Sequence, residues 1–93
     1  MRTTNHTMKR DLVRFDAKIA AWRREGEWEA RHGDEEMAEA YAADVDDLQA
    51  VRDAAAAGDL AEAARLARDL DTSLRAEIPA RLWNDLMRAI NAR

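Results

Sequence analysis

At 93 residues the chain has length for one domain and a small core. It contains no cysteine, which excludes a disulfide framework and thiolate chemistry. Fifteen basic side chains against nineteen acidic ones give a net charge of −4, an argument against nucleic-acid binding by the whole surface.

The first six residues are polar and are expected to fray, with Thr7 as the N-cap of the first helix. Met8, Leu12, Phe15, Ile19 and Trp22 step by four, three, four and three, a heptad-like seam that predicts a helix over about 8–25. Its other faces carry Lys9, Arg10, Arg14, Lys18, Arg23 and Arg24 with Asp11 and Asp16, and residues 1–25 net +4. Gly26 weakens the pattern and Trp28 falls off the seam. The stretch 26–33 is compatible with a bent continuation or a separate turn, and Gly33 is the expected stop.

The second helix is expected over 35–57. Asp34 suits its N-cap, and Glu35 and Glu36 occupy a first turn where the positive helix end favours carboxylates. Met37, Tyr41, Val45, Leu48, Val51 and Ala55 line one face. Gly58 suits the left-handed position past the helix end, and Asp59 with Glu62 resembles a capping box for the next helix. Between Gly26 and Glu62 twelve acidic residues stand against two basic ones, Arg31 and Arg52.

A third helix is expected over 60–76 on the stripe Leu60, Ala63, Ala67, Leu70 and Leu74, widened by Leu66. The stretch 54–70 resembles the helix-turn-helix joint of helical-repeat proteins, but no second copy follows at a fixed period. Pro79 is favoured in a first turn, so it starts a fourth helix over 79–92 that packs Leu82, Trp83, Leu86 and Ile90. Residues 63–93 net +2. β-Branched residues are rare and no alternating run exists, so strands are not expected. The whole reads as all-α: one helical domain over 1–93, a bundle of three to four helices with antiparallel neighbours.

Catalytic constellations are sparse. Glu29 and His32 have the E-x-x-H spacing of di-iron bundles, but the second pair those sites need is missing. Asp44, Asp46 and Asp47 invite a calcium reading, yet the sixth and twelfth loop positions hold Gln49 and Ala55 instead of glycine and glutamate. Ser73 has no histidine placed as its base. Thirteen arginines and a carboxylate could serve a small helical mutase, but a buried arginine site would interrupt clean apolar seams. The expectation is therefore no enzyme, no metal and no cofactor.

Three functions follow from charge and aromatics. The first is a protein-binding module that docks on a basic, possibly nucleic-acid-binding, surface of a partner protein. Its contacts are Glu35, Glu36, Glu39, Asp44, Asp46 and Asp47, with Trp28 as apolar anchor. In size and charge such a module resembles the small inhibitors of phages and mobile elements, anti-CRISPR proteins among them; no motif is shared. The second is a homodimer in which the basic first helix meets the acidic second helix of another copy, with the Met8–Trp22 seam as apolar contact. The third is a nucleic-acid accessory protein using Arg10, Arg14 and Lys18, disfavoured because the second helix is acidic. No apolar run is long enough to cross a bilayer and the first residues lack a signal-peptide core, so a cytoplasmic protein with no membrane partner is expected.

Overall fold

The computed structural model describes residues 6–91. Five helical elements follow one another: α1 (His6–Arg31), α2 (Glu35–Ala56), α3 (Leu60–Asp69), α4 (Thr72–Arg75) and α5 (Ala80–Asn91). Among the described residues there is no strand. The fold is a small all-α bundle, as the periodicity predicts. α1 packs on α2, α2 on α3, and α5 closes against α3 and α1.

α1 and α2 form a long antiparallel hairpin. Arg52 on α2 donates to both carboxylate oxygens of Asp16 on α1, at 2.8 and 3.2 Å. Arg23 reaches Gln49 at 3.5 Å, further toward the turn. The core lies on one side of this hairpin. Phe15 and Ile19 meet Leu48 and Val51, and α5 adds Leu82 and Leu86, all six essentially without exposure. Burying each Leu or Phe stabilises by about 1.5–3 kcal/mol relative to leaving it in water. Ala63, Ala64 and Ala67 are fully buried on α3, where small side chains permit close helix approach.

Both long corners are built the same way. After α1, Gly33 takes φ +88°, the Asp34 amide donates to the Glu29 carbonyl, and the Gly33 amide donates to that of Ala30. After α2, Gly58 takes φ +84° with the same pair of bonds from Asp59 to Ala54 and from Gly58 to Ala55. This is the Schellman pattern, which satisfies the orphan carbonyls of a helix end. The aspartate that follows each glycine then caps the next helix: Asp34 accepts from the Met37 amide and Asp59 from that of Glu62.

Several expectations are corrected. α1 is already formed at His6, so Thr7 lies inside it and is not its cap; of the fraying expected over residues 1–6, residues 1–5 lie outside the described residues, as does the expected helix end at 92. Gly26 does not end α1. It is buried under α2, and a Cβ there would sit 2.9 Å from the Tyr41 Cβ. Its missing side chain is what lets the helices meet. Asp11 is not on a solvated face: it is 2% exposed, and its Oδ2 has no hydrogen-bond partner among the described residues. The expected 60–76 helix breaks at Leu70, which is extended, and Asp71 recaps a single turn by accepting from the Leu74 amide and the Ser73 hydroxyl. Leu70 and Leu74 are buried all the same, so the stripe holds although the helix does not. Glu62 leaves its capping-box role and takes Arg65 at 2.7 Å. The seam from Met8 to Ile19 is consumed by the core and offers no surface to a second copy.

Candidate functional site

The acidic residues singled out by the sequence run from the hairpin turn to the middle of α2. Glu35, Glu36, Glu39, Asp46 and Asp47 are exposed. None of the five belongs to an ion pair among the described residues. The antiparallel hairpin sets the first half of α1 beside the inner half of α2, where Arg52 meets Asp16 and Asp53. Beside the outer half of α2, α1 carries Arg23, Arg24 and Arg31 with Glu25, Glu27 and Glu29, and among the described residues none of these arginines forms an ion pair with α2. Glu35, Glu39, Asp46 and Asp53, at steps of four, seven and seven, share one helical face.

Asp44 stands apart from the others. It is half-buried on the side facing Asp71, and burial first, then the like charges of Asp71 and Asp47, hold its carboxyl above the usual aspartate range. Trp28 is 48% exposed but does not join the carboxylates. Its ring stacks on His32 at 3.8 Å between centroids, and it shares a shallow depression with Arg24, Glu25 and Arg31. His32 Nδ1 lies 2.7 Å from the Trp28 carbonyl oxygen. Among the described residues no group of three or more potential ligands gathers around a metal position.

No protein-family model, curated protein or solved structure matches this chain.

Arg10, Arg14 and Lys18 are exposed and recur every four residues, so they form one stripe on α1. Lys18 reaches Glu77 at 3.8 Å, which partly neutralises the stripe's inner end. Trp22 and Trp83 are partly buried and pack against the core. No helix among the described residues is long and apolar enough to cross a membrane.

Two depressions deserve comparison. One of about 640 Å³ lies over α3 and is lined by Glu62, Arg65, Arg68, Asp69 and Ile90. Its charges already pair with one another, Arg65 with Glu62 and with Asp69. The other, of about 320 Å³, opens between α1 and α2 near the hairpin turn and is mostly apolar. Sequence reasoning missed it. The available signal was a pair of small residues four apart on each helix, Gly26 with Ala30 and Ala38 with Ala42. Such pairs bring backbones close and leave a trough beside the larger Trp22 and Tyr41.

Proposed function

We propose that the chain is a non-enzymatic protein-interaction module that docks the outer face of α2 on a basic surface of a partner protein, acting as a small inhibitor or adaptor of the anti-CRISPR kind. The observation that carries this reading is the set of five exposed carboxylates that have no cationic partner among the described residues. Unpaired charge on a folded surface repels itself, and a cationic partner relieves that repulsion. Steering of this kind makes association fast and sensitive to salt.

The test is a charge-reversed variant, Glu35→Lys with Glu39→Lys and Asp46→Lys, compared with the parent for retention of proteins from the source cell's lysate. The parent is expected to retain a nucleic-acid-binding or otherwise basic protein that elutes at moderate salt, and the variant to lose it with helicity unchanged. Equal retention of the same protein by both would overturn the proposal.

A second reading uses the other end of the molecule. Exposure of Arg10, Arg14 and Lys18 along one stripe favours phosphate contact by α1. It predicts duplex or single-strand binding at low ionic strength that weakens when the three are replaced by alanine. Absence of any binding at low salt would remove it.

A further inference from the structure

The 320 Å³ groove between α1 and α2 has a floor and two edges. Trp22, Gly26, Tyr41, Ala42 and Val45 supply its apolar lining. The Trp22 and Tyr41 rings meet edge to face at 5.5 Å, so the floor is held in place. Glu27 stands on the α1 edge and Asp46 on the α2 edge. Glu39 and Glu35 continue the Asp46 face toward the hairpin turn. Arg23 closes the inner end, tied to Gln49.

We infer that this groove receives one bulky apolar side chain from a lysine- or arginine-rich helix of the docking partner. The inference rests on the reading of α2 as an acidic docking face and names what that face recognises. Charge complementarity selects the occupant. Carboxylates on both edges repel phosphates and fatty-acid headgroups and attract lysine and arginine. From Asp46 to Glu39 is two helical turns, about 10 Å, so cations one turn before and one turn after an apolar anchor on a facing helix meet carboxylates while the anchor enters the groove. The alanine walls allow that helix to approach closely.

A second copy of the chain fits less well. Its basic helix offers Val13, 68% exposed, and a short β-branched side chain leaves most of the groove empty.

The probe is a 16-residue helical peptide with a central phenylalanine, lysines three and four residues to either side, and alanine elsewhere. Its control replaces the phenylalanine with alanine at the same charge. Both are titrated into the whole protein at low ionic strength. The phenylalanine peptide is expected to bind at least about tenfold more tightly than its control, the effect of burying one large side chain. Ala42→Trp, placed at an exposed position, fills the groove without changing charge and is expected to erase that ratio while control binding persists. Circular dichroism and thermal melting verify that the variant folds. Equal binding of the two peptides overturns the groove and leaves the acidic docking face standing. Failure of both peptides to bind overturns the docking face and the groove together. A parent protein at twice the chain mass by light scattering, restored to monomer by Ala42→Trp, assigns the groove to a second copy and overturns the inference.

Discussion

Two aspartates carry a cost of burial in different ways. Asp11 sits in the seam among Met8, Leu12 and Phe15 and is buried, with one oxygen unpaired among the described residues. A buried acceptor without a donor loses its hydration and gains nothing in return. Asp11→Leu is therefore expected to raise the unfolding free energy by about 1 kcal/mol or more, read from urea titration. A loss of stability would show that Asp11 has a function in the fold that its surroundings do not reveal. At Asp44 the cost belongs to the charged form. Its folded carboxyl is held above the ordinary range, so the folded state binds a proton more readily than the unfolded chain. The charged form therefore costs stability at neutral pH, and the cost is relieved as pH falls through the raised range. Asp71, held low by the Ser73 hydroxyl and the Leu74 amide, works the other way: its stabilisation is present above its unfolded range and is lost on acidification. Asp44→Asn is expected to raise the melting temperature at pH 7, with the advantage over the parent vanishing near about pH 4, where the unfolded aspartate also protonates. An advantage independent of pH would assign the effect to something other than charge.

At the scale of elements, the sequence was most legible where a chemical reason was local. Asp34 and Asp59 cap as their side chains predict, and Gly33 and Gly58 adopt the left-handed conformation that ends a helix. The Gly-Asp pair thus makes a complete corner twice. Nothing lies within 4 Å of a Cβ built on Gly58, so a substitution there meets backbone strain alone. Gly58→Ala is expected to destabilise by about 1 kcal/mol, and Gly58→Asn by less, because asparagine tolerates the left-handed region. Thermal melts of the two variants check the order. Gly26 was illegible for the complementary reason. Its role is set by Tyr41, fifteen positions away, and a helical pattern on one strand of sequence carries no record of what crosses it. The break at Leu70 was hidden because the apolar stripe continues through it. The break comes instead from Asp71 bonding Ser73 and the Leu74 amide, a local alternative to helix that periodicity does not weigh.

For the molecule as a whole, the antiparallel hairpin turns a segregated sequence into a charged rod. The described chain is 48 Å long and 24 by 18 Å across. Its acidic end is the hairpin turn, and the Arg10, Arg14 and Lys18 stripe lies toward the opposite end. The acidic stretch was plain in the sequence; that its carboxylates remain unpaired was not, because pairing depends on which halves of α1 and α2 lie side by side.

The core residues of α2 begin at Val45, whereas Met37, eight positions earlier on the same stripe, is 44% exposed. The hairpin tip therefore has little apolar burial holding it closed. Its free energy of opening is smaller than that of the half covered by α3 and α5. In amide hydrogen exchange, Phe15, Leu48, Val51 and Leu86 are expected to exchange only through global unfolding, while amides of Trp28, Glu39 and Ala40 exchange orders of magnitude sooner by local opening. Uniform protection along the hairpin would contradict this. A partner seated at the tip would then announce itself as slowed exchange confined to the tip, with the protected half unchanged.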